Sequence, residues 1–160
     1  MEYVGENLEV CGLKLSCHIH GKVAMFYIQD GKLRDENSLN DIFDYIYEYL
    51  KKQNFTGCVN IHTENIIIDS NDLKISSKLL NYKEKLHIDI SLTMKDGILS
   101  IANIENELLI LTFSSSQFNN INLNNLKMKS INFFCTRITG NLVAENAERI
   151  TILNEWCKRK

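Results

Sequence analysis

The chain has 160 residues, of which 44% are hydrophobic and 24% are charged, and its formal net charge is −2. A chain of this length buries well over half of its surface as one domain, and a sequence with no proline and 7 glycines offers no linker that would divide residues 1–160. No stretch is apolar enough to predict a membrane span, and neither half is basic enough to predict a nucleic-acid partner.

The amino terminus and the cysteines together predict a cytoplasmic protein. The opening residues, MEYVGENLEV, carry three glutamates and lack the basic and apolar regions of a signal peptide. The 5 cysteines are odd in number and irregularly spaced, which favours free thiols in a reducing compartment over a disulfide framework.

Residues 9–29 predict a β-hairpin with Gly21-Lys22 as its two-residue loop. Glycine at the first loop position is typical of a type II′ turn. This register pairs His20 with Val23, and it collects the apolar side chains on one face: Leu13, Leu15, Cys17, Ile19, Ala24, Phe26 and Ile28. A slip of one residue would mix the two faces, so the pattern supports this register.

Residues 39–52 predict an amphipathic helix. Ser38 suits the N-cap, and Asp41 lies where the positive end of the helix favours an acid. Apolar residues recur at helical spacing and form one stripe: Leu39, Ile42, Phe43, Ile46 and Leu50. Asp44, Glu48 and Lys51 are predicted on the opposite, solvent-facing side.

From residue 57 to about 135 the apolar residues alternate, which predicts strands. Short strands are expected at 58–62, 65–69 and 72–76, and residues 86–94 alternate without a fault. Asp96-Gly97 predicts a type I′ turn into residues 99–104, and residues 107–113 then form the third strand of an antiparallel meander.

Residues 141–157 predict a C-terminal helix with these residues on its inner side: Leu142, Val143, Ala147, Ile150, Leu153 and Cys157. The β-branched run at 150–152 leaves a strand at 149–153 as the alternative. The predicted fold class is therefore α+β: a mostly antiparallel sheet of hairpins and a meander, one central amphipathic helix and a C-terminal helix.

The asparagine-rich stretch around residues 118–134 has an apolar residue at every fifth position: Leu108, Phe113, Phe118, Leu123, Met128, Phe133, Ile138 and Val143. This spacing resembles a pentapeptide-repeat β-helix, a family that also needs a small residue two positions before each of these. Four of those positions hold large residues here, namely Leu111, Ile121, Leu126 and Ile131. The stretch is therefore interpreted as ordinary strands at about 121–123 and 126–135, joined by asparagine-rich turns.

Several residues have the chemistry of metal ligands. Cys17, His18 and His20 cannot bind one ion from a strand, because the cysteine points to the apolar face and the histidines to the other. His18, His20 and His62 remain an alternative metal set if their strands are neighbours. The default interpretation is solvent-facing histidines, so we expect no metal and no cofactor.

Enzymatic chemistry has two further candidates. Cys135 lies near Arg137, which favours a thiolate, although a small core residue in a strand is the default interpretation. His87 and Asp89 share one face of a predicted strand, as an acid–base pair would. Common nucleotide-binding, zinc-protease and hydrolase motifs are absent from the sequence, which favours a protein that is not an enzyme.

The predicted helix carries three tyrosines. Tyr45 and Tyr49 lie one turn apart at the edge of the apolar stripe, and Tyr47 lies at the other edge. Tyrosine is favoured at interfaces because its ring is apolar and its hydroxyl stays hydrated, so Tyr45 and Tyr49 are predicted to contact a partner. The alternative is that the tyrosines belong to a wide apolar face with which the helix packs on a sheet.

These features predict a small cytosolic, non-catalytic module that binds or regulates a protein, such as an adaptor, an immunity-like inhibitor or an effector-type module. The partner would be another protein or a second copy of the chain. One alternative is a metal- or thiol-dependent enzyme that uses His18, His20 and His62 or Cys135. A second alternative is an interaction protein built as a pentapeptide-repeat-like β-solenoid.

Overall fold

The computed structural model describes residues 2–3, 8–10, 13–33, 37–68, 72–94, 96–101, 104, 106, 108–123, 130–144 and 149–153. One α-helix, α1, spans Asn37–Lys52, and a short 3₁₀ helix spans Lys78–Asn81. The strands follow in chain order: β1 Glu2–Tyr3, β2 Leu8–Val10, β3 Leu13–His20, β4 Val23–Leu33, β5 Cys58–Ile68, β6 Leu73–Ile75, β7 Leu86–Met94, β8 Ile98–Ile101, β9 Leu109–Ser114, β10 Gln117–Phe118, β11 Asn120–Asn122, β12 Ser130–Phe134, β13 Arg137–Ile138, β14 Leu142–Val143 and β15 Arg149–Leu153.

Two sheets enclose one apolar core. The larger sheet has the strand order β1-β3-β4-β5-β7-β9-β12-β15, with β2, β10 and β13 pairing at its margins. The smaller sheet has the order β14-β11-β8-β6. Pairing is antiparallel only among β1 to β4 and parallel elsewhere in the described residues.

The β3–β4 hairpin is confirmed in its predicted register. His20 pairs with Val23 and Ile19 with Ala24. Gly21 has a φ of 60° and Lys22 does not have a positive φ, as a type II′ turn requires. All seven residues of the predicted apolar face are buried, whereas His18 is half-buried and His20 is exposed.

The predicted helix is confirmed and begins at Asn37, two residues before the expected start, so Ser38 lies inside its first turn. It connects the parallel strands β4 and β5, and its apolar stripe belongs to the same core as the strands. The Asn40 amide donates to the carbonyl of Lys74 at 2.8 Å, which ties α1 to the second sheet. Asp44 is not solvent-facing as predicted, because its carboxylate accepts a hydrogen bond from the Ser77 hydroxyl at 2.6 Å.

From β5 onward the chain forms a β-solenoid. Residues paired on successive strands of the large sheet lie 27, 23, 20 and 19 positions apart, namely Val59 with Leu86, Leu86 with Leu109, Ile110 with Ser130 and Ser130 with Arg149. Each coil thus adds one strand to the large sheet, and the successive spacings shorten toward the carboxyl end. Equivalent side chains stack inside, and the rings of Phe113 and Phe133 lie 5.4 Å apart and nearly parallel.

The predicted mostly antiparallel α+β fold is therefore wrong. Alternation of apolar residues identifies the buried face of a strand, but it does not encode the direction of its neighbour. The predicted type I′ hairpin at Asp96-Gly97 illustrates the error, since β7 and β8 lie in different sheets. Gly97 has a φ of 88°, and the chain turns there into β8 of the second sheet. It re-enters the large sheet as β9, which runs parallel to β7.

Asparagine side chains of the stretch around residues 118–134 have a structural role at the corners of the coils. Asn141 donates its backbone N–H to the Asn120 side-chain oxygen at 2.9 Å, so this asparagine replaces a backbone partner at the corner. Gly140 stacks on the same corner, where an added Cβ would lie 2.7 Å from the Asn119 carbonyl oxygen. Only a residue without a side chain fits this approach.

The five-residue spacing marks buried positions only in part of the solenoid, since Leu108 is 53% exposed and Ile138 and Val143 are half-buried. Phe113, Phe118, Leu123 and Phe133 are buried, and so are the large residues two positions earlier, Leu111, Ile121 and Ile131. Their size led the sequence interpretation to ordinary strands, but the interior between the two sheets is wide enough to hold them. The predicted strand at 121–123 corresponds to β11 and that at 126–135 to β12, although residues 124–129 lie outside the described residues.

The predicted C-terminal helix is also wrong. Residues 142–143 and 149–153 form β14 and β15, and the second range is the strand that the sequence left as an alternative. The β-branched run at 150–152 lies in β15, which pairs in parallel with β12 and places Ile150 beside Ile131. Residues 145–148 and 154–157, which the predicted helix included, lie outside the described residues.

Candidate functional site

The solvent side of the large sheet presents a row of polar side chains at one level. Tyr27, His62, Asp89, Thr112 and Asn132 are register partners on β4, β5, β7, β9 and β12. Adjacent strands lie about 4.8 Å apart, so these side chains contact one another across the strands. We call the solvent side of these five strands the outer face.

A β-bulge in β5 shapes this row. The pairing of β5 with β7 shifts between Thr63 and Ile66. The buried Thr63 hydroxyl accepts the backbone N–H of Ser91 at 3.0 Å, which satisfies a group that the interrupted ladder leaves without a strand partner. Bulges re-aim neighbouring side chains, and this one lies directly beside His62 and Glu64.

The His62 imidazole lies between two carboxylates. Its Nδ1 is 3.3 Å from Asp89 Oδ2, and its Nε2 is 3.3 Å from Glu64 Oε1. The Ser114 hydroxyl donates to the other oxygen of Asp89 at 2.7 Å. Both imidazole nitrogens are thus occupied, and the serine contacts the carboxylate and not the imidazole.

His87 belongs to a second set of contacts beside this row. Its Nε2 lies 3.3 Å from the Thr112 hydroxyl, which also accepts from the Asn132 amide at 3.4 Å. Burial lowers the pKa of His87, while the Asp89 charge opposes this shift and Lys85 and His62 add to it. Thr112 is only 5% exposed, so a substrate cannot reach its hydroxyl.

The contacts of the outer face do not pair an accessible nucleophile with a general base. The Thr112 hydroxyl, which contacts the His87 imidazole, is buried, and the more accessible Ser114 hydroxyl donates to a carboxylate. Nucleophilic catalysis needs an exposed hydroxyl or thiol within hydrogen-bond reach of a free base. The arrangement suits recognition through hydrogen bonds and aromatic contact.

A shallow cavity of about 330 Å³ lies over the amino-terminal part of the outer face. Its volume is at the lower end of the range for ligand sites. It combines an aromatic ring, a thioether, two imidazoles, an amide and a carboxylate: Met25, Tyr27, Asn60, His62, His87 and Asp89.

The structure does not bring together the alternative metal set His18, His20 and His62. His18 and His62 lie on β3 and β5, which β4 separates, and both imidazoles contact the Tyr27 ring at centroid distances of 6.0 and 6.2 Å. His20 lies at the exposed end of the hairpin. Within the described ranges, no group of three or more His, Cys, Asp or Glu side chains is arranged to hold a metal ion.

Cys135 does not have the features of a catalytic thiol. It is disulfide-bonded, and its φ of 51° places it at a left-handed corner equivalent to that of Ser115 in the preceding coil. Neither the predicted strand position nor the thiolate that the sequence left as an alternative is found there. Cys17 and Cys58 are free thiols, and burial raises the pKa of Cys17 to about 11.

The predicted contact residues Tyr45 and Tyr49 have different surroundings. Tyr45 is 40% exposed on the surface of α1. The Tyr49 ring packs edge-on against Phe26 at 6.1 Å, and its hydroxyl is buried without a hydrogen-bond partner. Their role in binding a partner stays a prediction, and Tyr45 offers the more accessible ring.

The sequence interpretation missed the His62–Asp89 pair. The alternation of residues 86–94 places Asp89 on the solvent side, but it suggested His87 as the partner. The actual partner is 27 positions earlier in the chain, and only the parallel register of β5 and β7 places it there. No local signal in the sequence encodes that register.

Comparison with known proteins gives no match, since no family model, curated protein or solved structure is significantly similar to this chain. The α-helix in the described part of the chain lacks the length and apolar character needed to cross a membrane. Function therefore has to be inferred from the geometry and chemistry of the described residues.

Proposed function

We propose that the chain is a small, non-catalytic binding protein that holds a protein partner on the outer face of its large sheet. The observation that carries this proposal is the composition of that face. Over the three levels of paired residues at Met25, Tyr27 and Gln29, the described solvent-side residues include two acids and no lysine or arginine: Met25, Tyr27, Gln29, Asn60, His62, Glu64, His87, Asp89, Ser91, Ile110, Thr112, Ser114, Ser130, Asn132 and Phe134. Lys32 pairs with the exposed Ile67 at the next level of the same strands.

Lysine and glutamate are depleted at the centres of protein interfaces, whereas tyrosine, phenylalanine and methionine are enriched. The outer face carries Met25, Tyr27 and Phe134, and Met25 is 37% exposed. On the described part of the outer face, the hydroxyl beside the His87 imidazole is buried, which favours binding over catalysis.

A matched pair of substitutions tests the proposal. Asn60→Arg places a long cation in the cavity of the outer face, and Ser100→Arg introduces the same cation on β8 of the other sheet. Proteins captured from the native source by the unsubstituted chain provide the partner for a titration. We expect Asn60→Arg to weaken binding about tenfold or more while Ser100→Arg leaves it unchanged.

Equal binding by both variants would exclude the outer face as the interface. Melting temperatures of the two variants must match that of the parent protein, so that lost binding is not lost folding. Sedimentation of the purified protein distinguishes a separate partner from a second copy of the chain, which is the other occupant that the sequence predicts.

Tyr45 and Tyr49 provide a second contact in this proposal. Tyr45→Ala should weaken binding by about 2 kcal/mol if the helix contributes to the interface, since exposed aromatic residues are frequent hot spots. Tyr45→Ala should cost little stability because the ring is 40% exposed. A variant that binds normally would remove the helix from the interface.

A cytoplasmic location belongs to the same proposal. It is supported by the free thiols of Cys17 and Cys58. The disulfide at Cys135 does not support it, because disulfides are uncommon in a reducing cytosol. Fractionation of source cells, with a specific antibody, measures the location directly.

A further inference from the structure

A second cavity, of about 440 Å³, lies where the carboxyl end of α1 faces the connection from the 3₁₀ helix to β7. Its lining residues come from three segments: Tyr47, Leu50, Lys51, Asn54, Phe55, Thr56, Asn81, Tyr82, Lys83 and Glu84. It shares no residue with the outer face. We infer that this cavity binds a small planar aromatic anion, such as an aromatic carboxylate.

The floor of the cavity is apolar and is fixed by the way α1 ends. Asn54 has a φ of 50°, the backbone N–H of Phe55 donates to the Leu50 carbonyl at 3.0 Å, and that of Asn54 donates to the Lys51 carbonyl at 3.1 Å. These two bonds define a Schellman motif, in which the Leu50 and Phe55 side chains are expected to meet. A floor set by backbone hydrogen bonds is preformed for a ligand.

Two tyrosines supply the aromatic walls. Tyr47 comes from α1 and Tyr82 from the opposite segment. The Tyr82 hydroxyl donates toward the carbonyls of Phe55 and Gly57, each at 3.4 Å, which holds its ring in place. The hydroxyl is a protonated donor at neutral pH, and burial raises its pKa further above the ordinary value of 10.0. Rings held on both sides of an apolar floor favour a flat, aromatic ligand.

The rim is cationic. Lys51 and Lys83 are exposed, and Glu84 is the one acid in the lining. No ion pair joins either lysine to a carboxylate among the described residues. The negative end of the helix dipole opposes an anion here, but the Schellman bonds already occupy the Leu50 and Lys51 carbonyls. The lysines therefore dominate the charge that a ligand meets.

Size agrees with this chemistry. Ligand sites have volumes of about 300–1,000 Å³ and combine apolar and aromatic walls with a few polar groups. A cavity at the lower end of this range suits a bicyclic ring with one acidic substituent. Asn54, Thr56 and Asn81 add neutral hydrogen-bonding groups around its opening.

Two probes with the same ring and opposite charge test the inference. Indole-3-acetate is the anion and tryptamine the cation, and each is titrated into the full chain by calorimetry and by ¹H–¹⁵N spectra. We expect saturable binding of the anion, with shifts centred on residues 50–56 and 81–84, and affinity for the cation that is about tenfold weaker.

Charge reversal provides the control. The double variant Lys51→Glu/Lys83→Glu should bind the anion about tenfold more weakly, whereas Lys74→Glu/Lys78→Glu, with the same charge change at exposed lysines outside the cavity, should bind it normally. No saturable binding, equal affinity for both probes, or equal loss in both double variants would overturn the inference. None of these results bears on the outer face, so a failure here is separable from a failure of the proposed function.

Discussion

The Tyr49 hydroxyl is the one buried side-chain polar atom without a hydrogen-bond partner in the described residues. The Cys17 thiol lies close enough for its charge and a weak hydrogen bond to affect the pKa of Tyr49, which burial raises first. A thiol is a weak hydrogen-bonding group, so we treat the pair as a contact that does not satisfy the hydroxyl. The buried position of the hydroxyl therefore costs stability, and the weak contact with the thiol offsets little of that cost.

Tyr49→Phe should therefore leave the free energy of unfolding unchanged or raise it by up to about 1 kcal/mol, because it removes a buried group that lacks a partner. Urea unfolding measures the change. Tyr45→Phe, at an exposed position, is the control and should have no effect. A loss of more than about 1 kcal/mol in Tyr49→Phe would show that the thiol contact is a stabilising hydrogen bond.

His87 makes stability depend on pH in a defined direction. Burial lowers its pKa from the usual 6.5 in the native protein. At a pH between the lowered native pKa and 6.5, His87 is protonated in the unfolded chain but neutral in the native protein. The free energy of unfolding therefore falls as the pH falls through this window.

His87→Gln should reduce this dependence. Urea midpoints between about pH 5 and pH 7 should fall less steeply in the variant than in the parent protein. His20→Gln, which changes an exposed imidazole at the hairpin turn, is the matched control and should keep the parent slope. A parent slope that persists in His87→Gln would assign the pH dependence to another group.

At the scale of elements, the end of α1 is specified by a single backbone conformation. Asn54 adopts a left-handed φ of 50°, which lets the chain turn back and lets the Phe55 N–H reach the Leu50 carbonyl. Asparagine tolerates this region better than most residues, and glycine tolerates it best.

Asn54→Gly should stabilise the protein slightly or leave it unchanged, whereas Asn54→Val should destabilise it by about 1–2 kcal/mol because a β-branched residue resists a positive φ. Thermal melts measure both. Gln53→Val is the control, since Gln53 is exposed and does not have a positive φ. Similar losses in Asn54→Val and Gln53→Val would show that the left-handed turn is not the cause.

Across the whole molecule the core is unequally closed at its two ends. At the amino-terminal end the apolar face of the hairpin and the apolar stripe of α1 are buried. In the last coil Ile138, Leu142 and Ile150 are only partly buried, and Ile152 is 51% exposed. In a solenoid each coil is stabilised mainly by its neighbours, so the coil with the least buried core opens most easily.

Hydrogen exchange should reveal this gradient. Amide protons of β14 and β15 should exchange by local opening, whereas those of β4, β5 and β7 should exchange only by global unfolding. Exchange followed by NMR at two pH values separates the two regimes. Uniform protection across the sheet would contradict the gradient and would indicate that the carboxyl-terminal coil is covered in solution.

The sequence by itself determined the local structure wherever a pattern repeats within a few residues. The hairpin register followed from the side chains on its two faces, the α1 stripe from helical spacing, and the buried face of residues 86–94 from strict alternation. The same alternation placed Asp89 on the solvent side. These patterns are local because side-chain direction depends only on the period of the backbone.

Tertiary structure alone decided strand direction, the course of the tail and the composition of the candidate site. A strand has the same apolar pattern beside a parallel or an antiparallel neighbour, so the meander and the solenoid are equivalent in sequence until the corners are placed. The C-terminal segment fits a helix or a strand by its apolar spacing, and the ladder from Ile131 to Ile150 selects the strand. His62 reaches Asp89 only because parallel pairing brings together residues 27 positions apart, a separation that no local propensity encodes.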